Sequence, residues 1–253
     1  MSKSVIMIGC GGIYFWWYFG IYKALYEKFN ICSADLKSII GCSTGNMVGS
    51  IVLSNPNHTQ IISTCEKIYN EITSKPFVIT NVLDKLHGFF EEFIDMDQIN
   101  NRLIIKLNKV TSYIPLKFEP TFITKFENKN DLIEYIFRST HVPILTQFKL
   151  SRGGYFDIIN DISYNNLDWN VDYLLSYTND DTLKIKNSLR IPPWSEIENM
   201  IKNGENFILN NKHLVRHFIV NYEKYFQLNS YTIKYYTLKH FLKKDENKNH
   251  CIN

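Results

Sequence analysis

Gly41-Cys42-Ser43-Thr44-Gly45 sets a serine between two glycines, with Ser38-Ile39-Ile40 before it and Asn46 to Leu53 after it. Strand, sharp turn and helix in that order form the setting in which Gly-x-Ser-x-Gly presents a nucleophilic hydroxyl. A side chain at the apex of so tight a turn projects from a strained backbone, and only small neighbours fit around it. The bland reading of the same residues is a small-residue turn with an idle serine. A nucleophilic serine also needs N–H donors for the oxyanion and a base for its proton. Cys10-Gly11-Gly12 stands at a second strand-to-helix junction and can offer consecutive backbone N–H groups, helped by the positive end of the next helix. A phosphate-binding loop would use similar glycines, but neither glycine-rich nucleotide-binding spacing occurs.

The elements that must position these residues are legible from the pattern. Val5 to Ile8 predicts a buried strand entering the Gly9 to Gly12 turn, and Tyr14 to Phe29 predicts a helix whose first half is enclosed by protein. Trp16, Trp17 and Tyr18 are expected in the core, with a membrane-interface role for the indole pair as the alternative. A helix over Gln60 to Ile72, an irregular stretch with short helices to about Asn101, and strands over Leu103 to Val110 and Tyr113 to Phe126 follow. Asn130-Asp131 caps a helix through Arg138, and Pro143 ends that region. Phe148 to Phe156 predicts a hairpin around Arg152-Gly153-Gly154, and Tyr173 to Tyr177 predicts a further strand. After Asn187 the pattern turns helical, starting at Pro192-Pro193-Trp194-Ser195-Glu196, with room for two long helices and a frayed tail over Lys243 to Asn253. The expectation is an α/β domain over residues 1–185 with a helical C-terminal extension over 186–253 packed on it.

Composition narrows the function classes. The 253 residues are 45% hydrophobic and 15% aromatic, enough for a sizeable core. A net charge of +3, with 23 Lys against 5 Arg, argues against nucleic-acid recognition. Cys10, Cys32, Cys42, Cys65 and Cys251 show no metal or disulfide spacing and fit a reducing compartment. The longest uninterrupted apolar run, Ile13 to Tyr22, is about half the length a spanning helix needs, and no secretory leader is expected before the fold starts at Met1. His213 and His217 share a helix face without a completing metal ligand, so no metal is expected. Lys234, Lys239, Lys243 and Lys244 mix with Tyr231, Tyr235, Tyr236, Phe241 and Leu242 on a face that suits either an anionic lipid surface or docking on the domain.

Several blocks together resemble the patatin-like phospholipases. Cys10-Gly11-Gly12-Ile13-Tyr14-Phe15 with Gly20-Ile21-Tyr22-Lys23-Ala24-Leu25 is similar to the family's oxyanion segment and the helix behind it, and Ile39 to Gly49 to its nucleophile elbow. Phe122 to Phe126, Asp131-Leu132-Ile133 and Arg138-Ser139-Thr140-His141-Val142-Pro143 resemble the stretch before its catalytic aspartate, and Tyr155-Phe156-Asp157 falls where that aspartate stands. These matches run in order over roughly residues 4 to 165.

The resemblance implies a three-layer α/β fold with a central mixed, mainly parallel sheet between helices. It also implies a lipid acyl hydrolase acting on glycerophospholipids or neutral glycerolipids through a Ser-Asp dyad of Ser43 and Asp157. Gly11 and Gly12 would form the oxyanion hole, Gly41 and Gly45 the elbow, and no cofactor would be needed. The expected partner is a lipid substrate at a membrane or lipid-droplet surface, and the expected place is the cytoplasm, peripheral to membranes. This chain departs from the family pattern at Tyr14, at Phe15 and at Ile158-Ile159 after Asp157. Asp161 is the substitute base if the loop is re-registered. A triad of Ser43, Asp157 and one of His213, His217 or His240 is a further arrangement. The competing function is a catalytically impaired relative that binds lipid or a protein partner without turnover.

Overall fold

Short β-branched runs become a mixed five-stranded sheet in order β4-β3-β2-β1-β5: β1 is Ser4–Ile8, β2 Ser38–Cys42, β3 Leu103–Tyr113, β4 Leu116–Ile123 and β5 Asn170–Leu175. The computed structural model describes residues 4–74, 79–114, 116–141, 151–155, 170–176, 179–180, 183 and 192–220, all within one compact unit, Met1–Val220. β5, β1, β2 and β3 run parallel, with Ile8 opposite Gly41 and Cys42 opposite Lys106; β4 closes the edge antiparallel to β3. Parallel strands covered on both faces must be apolar on both. Val5, Met7, Ile40 and Ile104 accordingly form one buried cluster, while Ile39 and Leu103 on the other face meet Gly49 of a helix. The edge strand β4 is blunted by Pro120 and by exposed Lys117 and Glu119.

Eight α-helices are present among the described residues: α1 Phe15–Phe29, α2 Thr44–Ser54, α3 His58–Thr73, α4 Ile79–Phe93, α5 Met96–Ile99, α6 Lys129–Ser139, α7 Trp194–Asn210 and α8 Val215–Phe218. The arrangement is an α/β fold consistent with three layers. No described helix is long and apolar enough to cross a membrane. α1 is apolar nearly all round because it packs against both α2 and α7. Trp16 and Trp17 are both buried, Trp16 edge-on to Trp194 and Trp17 against Phe207, so the indole pair is core. α1 and α7 touch backbone to backbone. A Cβ on Gly20 would overlap the Ile201 carbonyl, and one on Gly204 would overlap the Trp17 carbonyl.

Three expectations need adjusting. The stretch before Asn101 carries a fifteen-residue helix, α4, instead of only short ones; Gly88 interrupts it harmlessly, facing open space, while Phe89, Phe90 and Phe93 are buried. The last strand runs Asn170–Leu175, earlier than Tyr173 to Tyr177, because its register is set by β1. The strand expected to end at Val110 continues to Tyr113, and its partner is Leu116–Ile123, shorter than the expected Tyr113 to Phe126. The second long C-terminal helix expected from the sequence falls mainly outside the described residues. The Arg152-Gly153-Gly154 turn is present: Arg152 and Tyr155 exchange backbone hydrogen bonds of 2.8 and 3.1 Å around two glycines at φ 58° and 83°. The expected boundary between residues 185 and 186, and the Lys-Tyr face of residues 231–244, lie outside the described residues.

His58, the first residue of α3, is buried edge-on against Phe19, Tyr22 and Tyr26 of α1, and its Nε2 has no hydrogen-bond partner among the described residues. Burial pushes its pKa below the ordinary 6.5, aided by Lys23 and opposed by Glu27, whose Oε1 lies 3.9 Å from Nδ1. The unfolded chain therefore takes up a proton that the fold resists, so this contribution is intact above about pH 6.5 and is lost as pH falls. His58→Phe keeps the ring packing; urea unfolding should show a smaller loss of stability between pH 7.5 and 5.5 than in the wild type, and a pH-independent difference would refute this account. Gly204→Ala should lower the unfolding free energy by about 2 kcal/mol through overpacking against α1, read from the urea midpoint.

Candidate active site

In an open parallel sheet, ligands bind outside the carboxyl ends of the strands, near the point where strand order reverses. Here that point is β1, flanked by β2 and β5, and the two glycine-bearing turns leave the sheet at this edge. Ser43 is the single residue between β2 and α2, at φ 52° and ψ −122°. This left-handed conformation is costly for a residue with a side chain, by about 1–3 kcal/mol. Asn46 N–H donates to the Ser43 carbonyl at 2.9 Å, starting the helix directly after the turn. The Ser43 hydroxyl does not cap that helix, and the residue is 4% exposed.

Both flanking glycines are required by close approach. A Cβ on Gly41 would overlap the backbone and side chain of Asn46, and one on Gly45 would overlap the Ile8 carbonyl at the end of β1. The first turn of α2 thus rests on the strand that carries the second glycine turn. Thr44 Oγ1 donates to the Gly12 carbonyl at 3.0 Å, tying the two turns together. Gly12 sits at φ 53°, opening a short 3-10 turn that leads into α1, and Tyr18 Oη donates to the Cys10 carbonyl at 3.4 Å. Tyr14 and Phe15, which follow this glycine turn, are buried.

Asp157, Asp161, Ile158 and Ile159 lie outside the described residues. Residues 151–155, shortly before them, are described. β2 ends opposite Lys106, and three residues further along β3 an antiparallel bridge joins Lys109 to Tyr155, with Val110 N–H donating to Gly154 O at 2.8 Å. Lys109 already pairs with Glu119 on its β4 side, so the Arg152–Tyr155 turn occupies the side that β2 vacates after Cys42. Glu134 of α6 anchors this turn, accepting from Arg152 Nη2 at 2.6 Å and from Arg138 Nε at 3.0 Å. Burial alone would raise the Glu134 pKa; the two guanidinium groups outweigh it and hold the carboxyl below its usual range.

Four residues beyond those singled out from the sequence belong to this edge. Thr44 is one. Asn46 is fully buried; its Nδ2 donates to Ser139 Oγ at 2.8 Å, and Ser139 in turn donates to the Ile136 carbonyl, which orients the amide and joins the Ser43 turn to α6. Lys106 and Asn108 are buried on β3, Lys106 only 2% exposed and opposite Cys42. They share a face with Ile104, and this polar alternation inside an apolar strand was the available signal. His141 is buried; His217 stacks on Tyr173 of β5 at 5.0 Å, His213 is exposed, and His240 lies outside the described residues.

The fold and this edge define the protein as an α/β protein with a serine at a strand-turn-helix apex beside a glycine turn. No family model matches the sequence, and no curated protein matches it. Among solved structures the chain is similar to one in the heterodimeric complex ExoU-SpcU from the type III secretion system of Pseudomonas aeruginosa, with 11% identity and a TM-score of 0.40. The match covers 89% of this chain and 52% of that one, so this chain spans about half its length.

If the Ser43 backbone is held as described, Ser43→Gly should be more stable than Ser43→Ala by about 1 kcal/mol, because only glycine adopts a positive φ without strain. Equal urea midpoints for the two variants would contradict the turn geometry.

Proposed function

We propose that this protein hydrolyses fatty-acyl esters of glycerophospholipids or neutral glycerolipids, with Ser43 as nucleophile. The observation that carries the reading is the Ser43 backbone at φ 52° and ψ −122° between β2 and α2, tied through Thr44 to the Gly12 turn. Ser43 Oγ attacks the ester carbonyl while its proton passes to the Asp157 carboxylate. The Gly11 and Gly12 N–H groups receive the negative charge that develops on the carbonyl oxygen. The ester C–O bond then breaks, the leaving alkoxide takes the proton from Asp157, and the acyl group stays on Ser43. Water, deprotonated by Asp157, releases the fatty acid and restores the serine. Attachment of the Arg152–Tyr155 turn beyond the end of β2 supports Asp157, two residues on, as the base. In this reading residues 1–185 carry the chemistry, 186–253 form a helical extension, and the work is done at a membrane or droplet surface in the cytoplasm.

General-base assistance is worth about 10² to 10⁴ in rate, and one oxyanion donor about 10² to 10³. A fluorophosphonate probe should label the wild type and leave Ser43→Ala unlabelled, while Asp157→Asn should lower fatty-acid release from mixed glycerolipids by about 10² or more. Folded wild type that neither labels nor releases fatty acid would overturn the proposal in favour of a lipid-binding or interaction module, with Tyr14, Phe15 and Ile158-Ile159 marking the lost activity.

A further inference from the structure

β3 does not stop where its parallel neighbour does. β2 ends at Cys42, opposite Lys106, but β3 continues to Tyr113 and returns as β4 from Leu116. Seven residues at about 3.3 Å each carry the tip roughly 23 Å past the end of β2. Because β3 is parallel to β1 and β2, this extension points to the carboxyl edge, the edge from which Ser43 and the Gly9 to Gly12 turn emerge.

The ribbon changes character along its length. Leu103 to Asn108 are buried; Lys109, Thr111 and Tyr113 are exposed. At the tip Ile114 is 94% exposed and Tyr113 52% exposed, with the Tyr113 hydroxyl hydrogen-bonded to Ser151 Oγ at 2.9 Å. An isoleucine that far from any core does nothing for the stability of the fold. The sequence from Lys109 to Lys117 contains no acidic residue, and Lys117 stands one pair from the tip. Lys109, further back, faces Glu119 across the ribbon. An exposed aliphatic residue, an amphipathic tyrosine ring and a nearby lysine are the chemistry that enters a lipid–water interface bearing negative head groups.

We propose that the Tyr113–Ile114 tip is an insertion point into an anionic lipid surface, holding the Ser43 edge toward the substrate. The choice of lipid as the occupant rests on the hydrolase reading; the projection, exposure and charge of the tip do not. The Arg152–Tyr155 turn, hydrogen-bonded to β3 and anchored through Glu134, stiffens the base of the ribbon so that insertion orients the whole sheet.

The test uses the full chain and phosphatidylcholine vesicles with and without phosphatidylserine, measuring co-sedimentation, fatty-acid release from the vesicles and hydrolysis of a soluble short-chain ester. Ile114→Asp should lower vesicle binding and vesicle hydrolysis about tenfold or more and leave soluble-ester hydrolysis unchanged. Lys117→Glu should lower binding several-fold only where phosphatidylserine is present, an effect removed by high salt. Vesicle binding through Ile114 without fatty-acid release or probe labelling would uphold the docking surface and overturn the hydrolase reading. Unchanged binding and vesicle hydrolysis by Ile114→Asp would overturn the docking surface and leave the hydrolase reading intact. A wild type that does not bind vesicles, or a tip substitution that alters only the sedimenting mass of the protein, would also overturn it, the latter in favour of a contact with a second copy.

Discussion

The close approach of α2 to the end of β1 is the constraint on which the candidate site depends. With no side chain at Gly45, the first turn of the helix settles against the Ile8 carbonyl, and with none at Gly41 the chain can reverse into Asn46. That approach forces Ser43 into a left-handed backbone conformation, which the surrounding packing must offset. The same approach brings the turn after β2 within hydrogen-bonding distance of the turn after β1. A serine and a set of backbone N–H groups, distant in sequence, thereby share one edge of the sheet.

β3 organises the other side of that edge. Its inner half is a buried strand partnered by β2, and its outer half takes the Arg152–Tyr155 turn in place of β2. Glu134 then links this turn to α6, and α6 is linked to the Ser43 turn through Ser139 and Asn46. Elements from four separate stretches of chain are thus cross-braced by hydrogen bonds around the serine, mostly through groups that are half-buried or buried. Such bracing holds the turn after β1, the Ser43 turn and the Arg152–Tyr155 turn in fixed relative positions.

The strand-turn-helix units were legible because their signals are local. β-branched runs, glycines at the turns and apolar helix faces placed β1, α1, β2 and α2 to within a residue or two, whereas the caps of α3 and α6 are Asn57 and Asn128, the latter two residues before the expected Asn130. What was missed depends on distant partners. α4 is helical because Phe89, Phe90 and Phe93 are buried against other helices, among them α6. The limits of β5 follow from its register with β1, which no local pattern encodes. At the site, Ser43 and its glycines were readable, whereas Asn46 and Lys106 take their meaning from Ser139 on another helix and from the register with Cys42.

The backbone contact between α1 and α7 also bears on how the chain assembles. Gly20 and Gly204 meet only after almost the whole described unit exists, since their partners Ile201 and Trp17 stand at opposite ends of it. Translation at about 5 to 20 residues per second leaves roughly 10 to 40 s in which α1, with Trp16, Trp17 and Phe19, has emerged without its partner helix. The most aromatic of the described α-helices therefore stays without its α7 cover for most of synthesis, an interval in which the nascent chain needs shielding from its neighbours.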